Sequence, residues 1–220
     1  MPKRLFVAVA LIVFFSLPTS LFGLDIYLRN YQHGGVTINR VANPDLIGAG
    51  EFRWAVGDCG QVFKLYEWGE VVPDYPITLN AEYNLTGVAF GNWAVGYIVG
   101  FKRNDPLKWK GTVWKTTNGG TSWDSLQTSS FPGNIPVPFL NVDAGSHDFQ
   151  GVGVVWVSCG HGYVIRSEDG GASWHLSQAK PGGENHFGWL WGISSPYFNN
   201  DYAWVCSDQS GLVADKSYLK

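Results

Sequence analysis

Two segments of the sequence carry the same polar and aromatic residue types at the same spacing. They share a hydroxyl, an Asn or Asp, a glycine and a tryptophan: Thr116, Asn118, Gly120 and Trp123, then Ser167, Asp169, Gly171 and Trp174. A carboxylate such as Asp169 could act in catalysis or bind calcium, but both roles require further acids or oxygen ligands beside it. A short Asp or Asn side chain also accepts backbone N–H groups in turns where glycine supplies a positive φ. We therefore interpret these residues as structural turn residues with buried tryptophan anchors, and assign none of them to catalysis.

Both segments belong to a longer repeat. A glycine followed by a short β-type run recurs at intervals of 51, 51 and 49 residues, at positions 60–64, 111–115, 162–166 and 211–214. A period of about 50 residues with strands in every unit indicates the blades of an all-β propeller rather than a helical solenoid.

Further strands are predicted upstream of each of these glycines. Aromatic runs indicate a second strand in every unit, at residues 52–57, 92–96, 155–158 and 202–205. The runs 85–90 and 190–193 predict inner strands, whose small residues permit close packing near a propeller axis.

Four units can be placed on the chain. They cover residues 43–72, 85–126, 140–177 and 187–220. The first unit lacks the turn motif and carries residues 66–70 in its place, and the last stops before a fourth strand can form. Either residues 24–42 close a four-bladed ring by donating a strand, or the units belong to a longer propeller. We favour the second alternative, a C-terminally incomplete chain whose last unit is incomplete, over a four-bladed ring.

The N-terminus is typical of a secretory signal. Lys3 and Arg4 precede the apolar residues 5–17, which small residues follow. We predict a signal peptide over residues 1–23 and an exported protein, which is periplasmic, extracellular or tethered to the outer face of a membrane. The formal net charge of −3 gives no indication of nucleic-acid binding.

The cysteines do not have the spacing of a metal site. Cys59, Cys159 and Cys206 are far apart and no Cys or His pair is placed as in a zinc finger, so we predict no metal and no cofactor. Buried free thiols are the favoured state, and a disulfide between Cys159 and Cys206 is the alternative.

A basic segment interrupts the second unit on this acidic chain. Residues 101–110 form an insertion between its second and third strands, with candidate partner-binding residues Lys102, Arg103, Lys108, Trp109 and Lys110. The alternative is a solvated extension of the hairpin. The Gly-rich residues 182–189 are a second candidate loop at the propeller entrance, or else an ordinary connection between blades.

The residues described above resemble a known family. Residues 93–96, 111–116 and 118–123 are similar to the photosystem II assembly and stability factor family, and the repeated turn segment resembles the Asp-box, or bacterial neuraminidase repeat. The resemblance implies a propeller without enzymatic activity that docks onto another exported or membrane protein. Full members of the family have more blades than the units found here.

Asp-boxes also occur in glycosidases, so a glycoside hydrolase or carbohydrate-binding propeller of the sialidase or xyloglucanase type is the alternative function. A sialidase requires an arginine cluster and a Phe/Tyr-Arg-Ile-Pro segment, of which residues 52–54 keep only a trace. A two-carboxylate glycosidase needs a pair of acids about 5–10 Å apart. The loop carboxylates that could supply one are Asp45, Glu51, Asp58, Asp143, Asp148, Glu184 and Asp201. Nothing in the sequence brings two of them together, so we predict a non-catalytic scaffold.

Overall fold

The structure is a computed structural model. It describes residues 31–33, 36–42, 52–66, 69–104, 110–126, 137–147, 153–178, 188–196, 202–207 and 211–215. The predicted signal peptide lies outside these residues. Within the described ranges, no helix has the length and apolar character needed to cross a membrane.

The described residues form four antiparallel sheets, and in each of them strands that are consecutive in sequence pair with one another. The first sheet contains β1 (Tyr31–His33), β2 (Val36–Ala42), β3 (Phe52–Gly57), β4 (Gln61–Tyr66) and β5 (Ile77–Thr78). The second contains β6 (Tyr83–Phe90), β7 (Gly96–Lys102), β8 (Gly111–Thr116) and β9 (Asp124–Ser125). The third contains β10 (Phe139–His147), β11 (Gly153–Cys159), β12 (Tyr163–Ser167) and β13 (His175–Gln178). The fourth contains β14 (Leu190–Ser194), β15 (Tyr202–Ser207) and β16 (Gly211–Asp215).

The sheets are stacked through their long central strands. Residues 154–159 of β11 are buried without alternation, because the third sheet is covered on both faces. In β15 burial alternates instead, with Ala203 and Val205 buried and Trp204 and Cys206 exposed. Among the described residues, the fourth sheet is therefore covered on one face only.

The first long strands of successive sheets pack beside each other, β2 on β6, β6 on β10 and β10 on β14. The prediction that small residues permit this approach is confirmed at Gly87. A Cβ at that position would lie 2.9 Å from both the Cα of Asn141 and the amide nitrogen of Val142. Only a residue without a side chain fits between these two backbones.

Every one of these strands carries a β-bulge at the same place. The register shifts enclose Asn39, Thr86, Leu140 and Trp191. The Asn39 side-chain amide donates to the Leu85 carbonyl oxygen at 2.8 Å, and the Thr86 hydroxyl donates to that of Phe139 at 2.7 Å. Each of these two side chains therefore reaches the first strand of the next sheet.

The boundary predicted at residue 43 is wrong by one strand. Val36–Ala42 pairs with β3, with Val41 opposite Ala55, and so forms part of the first sheet. Among the described residues, this segment does not close the fourth sheet, which contains three strands.

The strand predicted at residues 92–96 is also wrong. These residues form the turn before β7, which begins at Gly96. The Asn92 side-chain oxygen accepts hydrogen bonds from the amides of Ala94 at 2.8 Å and Val95 at 2.6 Å. A short side chain that binds nearby backbone amides stabilises a turn in competition with a strand.

Candidate functional site

The first turn segment is closed by its own side chains. The Thr116 hydroxyl accepts a hydrogen bond from the Gly120 amide at 2.9 Å and donates one to the Asn118 side-chain oxygen at 2.9 Å. That oxygen also accepts the Ser122 amide at 3.0 Å. The polar side chains of this turn are thus engaged in holding its backbone.

The second turn repeats this arrangement with a carboxylate. The Ser167 hydroxyl accepts the Gly171 amide at 2.7 Å and donates to Asp169 Oδ1 at 2.8 Å. The Ser173 amide donates to the same Oδ1 at 2.8 Å, and its hydroxyl donates to Oδ2 at 2.6 Å. The Oδ1 atoms of Asn118 and Asp169 accept equivalent hydrogen bonds, which indicates that the geometry requires a short acceptor rather than a negative charge.

The two tryptophans of these segments differ in burial. Trp174 is 5% exposed and donates its indole N–H to the Gly171 carbonyl at 3.1 Å. Trp123 is only half-buried, and its ring stands edge-on to Trp54 at a centroid distance of 5.9 Å. Trp174 is the buried anchor that the sequence predicts, whereas Trp123 packs at the margin of the contact between the first and second sheets.

Each turn packs against the preceding sheet. The Trp54 ring lies against Gly120, where a Cβ would come within 2.3 Å of it. In the next interface, the Tyr97 hydroxyl and the Lys115 ammonium group both donate to the Gly170 carbonyl oxygen, at 2.9 and 2.8 Å. The turns therefore join neighbouring sheets.

A repeated pair of a cation and an aromatic ring was missed from the sequence. Lys64, Lys115 and Arg166 lie directly across from Trp54, Tyr97 and Trp156 on the adjacent strand. The distances from charge to ring are 5.5, 5.7 and 4.9 Å, within the range of cation–π attraction. The signal was present in the repeat, since these cations occupy the same place in three of the glycine-led runs.

Asp169 is expected to make stability depend on pH. Burial acts to raise the pKa of its carboxyl, but hydrogen bonds from Ser173, Ser167 and Ala172 outweigh burial and lower the pKa below its ordinary value. Because the pKa is lower in the folded state, the ionised carboxylate stabilises the fold at pH values above the carboxyl pKa in the unfolded chain, which is about 4. This stabilisation is lost as the pH falls through the pKa of the folded state. We expect Asp169→Asn to be nearly neutral at pH 7 and to reduce the loss of stability in acid, measured by thermal melts across the pH range.

The first turn provides a reciprocal control. Asn118→Asp places a carboxylate in the same set of bonds and should steepen the loss of stability in acid. Acid profiles of both variants that run parallel to the wild type would contradict this role of the turn carboxylate.

The structure describes some of the candidate partner-binding residues but not all of them. Lys102 ends β7 and forms an ion pair with Glu82 at 3.0 Å. Arg103 donates from its amide to the Glu82 carbonyl at 2.8 Å and from its guanidinium to the Cys59 sulfur at 2.8 Å. Lys110 is exposed, and its carbonyl accepts the Lys102 amide at 3.2 Å. Lys108 and Trp109 lie outside the described residues.

These contacts place three basic residues at one end of the hairpin formed by β7 and β8. We call Lys102, Arg103 and Lys110 the basic edge. It lies beside the 3-10 turn at Asp58–Gly60 of the first sheet, because Arg103 reaches Cys59 there. Guanidinium and ammonium groups with this exposure can bind carboxylates of a second molecule.

Of the loop carboxylates considered as catalytic acids, Asp58 and Asp143 are described. Asp58 accepts the Asn39 amide at 3.0 Å, and Asp143 accepts both the backbone amide and the hydroxyl of Ser195. Each ties two segments of the fold together. In the part of the chain that the structure describes, no three His, Cys, Asp or Glu side chains are grouped as metal ligands. Cys159 and Cys206 are free thiols, so the disulfide between them is not formed.

Comparisons with known proteins identify the fold. No family model matches the chain, and no curated protein matches it. The solved structure of YCF48 bound to D1 peptide is 18% identical, with a TM-score of 0.52, covering 82% of this chain and 53% of that one. YCF48 from Cyanidioschyzon merolae is 19% identical, with a TM-score of 0.53, covering 84% of this chain and 52% of that one.

This chain thus spans about half the length of both structures. The likeness shows the fold alone, which is that of a β-propeller.

Proposed function

We propose that this protein is an exported, non-catalytic propeller that binds a segment of another protein. One observation carries the proposal: the chain has the fold of YCF48, a photosystem II assembly factor whose solved structure contains a bound peptide. Export is inferred from the leader-like residues 1–23, and it makes an exported or membrane protein the natural partner.

The basic edge is the proposed contact surface. Its positive groups stand out on a chain of net charge −3, and Lys110 projects from the protein. Lys102 is already paired with Glu82, so Arg103 and Lys110 are the groups proposed to bind the partner. A peptide with carboxylates complements these groups.

A binding role also agrees with what the polar residues do elsewhere. The turn residues bond within their own turns, and Asp58 and Asp143 connect segments of the fold. A glycosidase needs two carboxylates facing a substrate. No observation among the described residues favours the glycosidase alternative.

A charged peptide tests the basic edge. We expect a short fluorescein-labelled peptide of alternating Glu and Tyr to bind and to bind less tightly as salt is added. Fluorescence anisotropy of the labelled peptide measures the binding. Because exposed ion pairs contribute about 0.2–1 kcal/mol, Lys110→Gln should weaken binding by up to about fivefold. A peptide with Lys in place of Glu should not bind.

The matched control is Thr117→Glu. This variant lowers the net charge by the same single unit at an exposed turn position, where the second turn carries Glu168. Equal weakening by Thr117→Glu and Lys110→Gln would mean that overall charge, and not the basic edge, attracts the peptide. Failure of the acidic peptide to bind at low salt would reject this surface as the contact site.

A further inference from the structure

The turns that follow β3 and β11 have the same conformation. Asp58–Gly60 and Gly160–Gly162 each place a side chain in the left-handed region, with a φ of 56° at Cys59 and 58° at His161. Glycine adopts this conformation freely, whereas any other residue is disfavoured there. A backbone outlier of this kind is a reason to ask what its side chain does.

Both side chains contact a residue of the sheet that follows their own. The Cys59 sulfur accepts a hydrogen bond from Arg103, just after β7, and the His161 ring lies 6.4 Å from the Trp189 ring, just before β14. The turn therefore presents a side chain to the neighbouring sheet in both cases. At Cys59, the group it contacts belongs to the basic edge.

The backbone around Cys59 is held by the second sheet and by the segment that leads into it. The Cys59 amide donates to Asn84 Oδ1 at 3.4 Å, and the Gly60 carbonyl oxygen accepts the Leu79 amide at 3.0 Å. A Cβ on Gly60 would collide with the Asn80 carbonyl group. These contacts determine where the Cys59 sulfur lies.

Arg103 is held at its backbone and at its guanidinium. Its amide donates to the Glu82 carbonyl oxygen at 2.8 Å, and its Nη1 donates to the Cys59 sulfur at 2.8 Å. The Glu82 carboxylate pairs with Lys102 instead, at 3.0 Å. Within the described part of the chain, the Arg103 guanidinium forms no ion pair, and the residue is exposed.

We propose that Cys59 is a positioning residue that orients Arg103 as an anchor for a carboxylate of the partner. The inference rests on the proposed function and adds how the binding group is arranged. A thiol carries no formal charge and is a weak acceptor, so it orients the guanidinium without neutralising it. A carboxylate in its place would offset the charge of Arg103, as Glu82 does for Lys102.

The free part of the guanidinium suits a planar group with two oxygens. A guanidinium has five N–H donors, and the Cys59 sulfur accepts one of them. The remaining donors can bind both oxygens of a Glu or Asp carboxylate, a geometry that an ammonium group does not reproduce. Because Arg103 is already oriented, less side-chain entropy is lost when the carboxylate binds.

Two thiol reagents test the anchor without a peptide. Dithiobis(nitrobenzoate) carries carboxylates and dithiodipyridine is neutral, and both react with the same thiol. In a Cys206→Ser chain, Cys59 is the reacting residue because Cys159 is completely buried. We expect Arg103→Gln to lower the ratio of the carboxylated to the neutral reaction rate at least about threefold at low salt. An effect of Arg103 on the thiol itself is common to both reagents and cancels in the ratio.

Thr117→Glu is the matched control for this measurement. It lowers the net charge by the same single unit, but it lies at the other end of β8 from the basic edge. It should therefore lower the ratio much less than Arg103→Gln, and the difference between the two variants should shrink as salt is added.

A pair of variants with the same shape tests the need for an uncharged acceptor. Asn and Asp both tolerate a left-handed backbone, so Cys59→Asn and Cys59→Asp should both fold, which thermal melts check. Asp adds a charge that pairs with Arg103. We expect the labelled acidic peptide to bind about three- to fivefold less tightly to Cys59→Asp than to Cys59→Asn. Adding Arg103→Gln should weaken binding in the Asn variant but not in the Asp variant, a coupling that a purely structural role of Cys59 would not produce.

An unchanged ratio of reagent rates in Arg103→Gln overturns the anchor. Equal binding of the peptide by Cys59→Asn and Cys59→Asp overturns it as well, even if the basic edge is the contact surface. A failure of the proposed function is distinguishable from both results. In that case the chain prefers the carboxylated reagent, loses this preference in Arg103→Gln, and does not bind the acidic peptide, which keeps the anchor and rejects the peptide.

Discussion

Replacing Trp156 by alanine is expected to lower the free energy of unfolding by about 3–5 kcal/mol, the cost of emptying a buried tryptophan site. The Trp156 side chain is completely buried between the third and fourth sheets. Its indole N–H makes no hydrogen bond in the structure, so the loss comes from packing and not from a broken polar contact. Urea denaturation followed by circular dichroism measures the change.

Arg166 adds to this cost. Its guanidinium lies 4.9 Å from the Trp156 ring, and the residue is 4% exposed, so alanine would leave a buried cation without the ring beneath it. Trp156→Phe keeps a ring and should recover part of the loss. Trp93→Ala is the control, and a change within about 0.5 kcal/mol is expected because this side chain is exposed. Similar losses for Trp156→Ala and Trp93→Ala would contradict the assigned burial.

The turns could be predicted from the sequence because their chemistry is local. A hydroxyl, a short acceptor and a glycine within a few residues determine one hydrogen-bonded loop, with Asn118 and Asp169 in the same role. The all-β class was predictable for a similar reason, since the glycine-led runs recur with one period. The hydrogen bonds of each turn therefore follow from residues that are close together in the sequence.

The second strand of the second sheet was not predictable from its residue types. Residues 54–57 and 93–96 are identical in sequence, yet the first segment lies within β3 and the second forms the turn that leads into β7 at Gly96. Trp54 is 1% exposed and Trp93 is 55% exposed. The difference arises because Asn92 binds the amides that follow it, an interaction that a comparison of residue types does not weigh.

This misplacement also hid the role of Tyr97. With the second strand displaced by several residues, Tyr97 could not be aligned with Trp54, Trp156 and Trp204, and the pairs of cation and ring were not visible. Whether a residue is buried depends on the neighbouring sheets, so the exposure of Trp204 could not be inferred from the sequence of its own strand. Three-dimensional stacking was needed to see that one interface residue lies on the surface.

Gly120→Ala is expected to destabilise the protein by about 2–5 kcal/mol, the sum of two separate costs. Gly120 has a φ of +82°, in the left-handed region where a side chain costs about 1–2 kcal/mol. A Cβ there would also lie 2.3 Å from the Trp54 ring, and overpacking of this kind costs about 1–3 kcal/mol. Urea denaturation of the variant measures the total.

Gly119→Ala separates these two costs, because the neighbouring residue has a similar φ of +65° and a more open environment. A Cβ on Gly119 would have its closest contact at 3.1 Å, with the Trp93 carbonyl oxygen, which has to shift only slightly, so we expect little beyond the backbone cost of about 1–2 kcal/mol. The difference between the two variants measures the steric contact between the turn of the second sheet and the Trp54 ring of the first sheet. Equal losses would mean that the Trp54 ring moves aside freely and that the turn does not fix the spacing of the sheets.

A double-mutant cycle completes the test. In a Trp54→Leu background the ring is gone, so Gly120→Ala should cost less than in the wild type, with a coupling energy of about 0.5–3 kcal/mol. The cost of Gly119→Ala should not change in that background, because its nearest contact is to a backbone atom of another turn. Coupling confined to Gly120 would show that its contact with the Trp54 ring determines how closely the second sheet packs on the first.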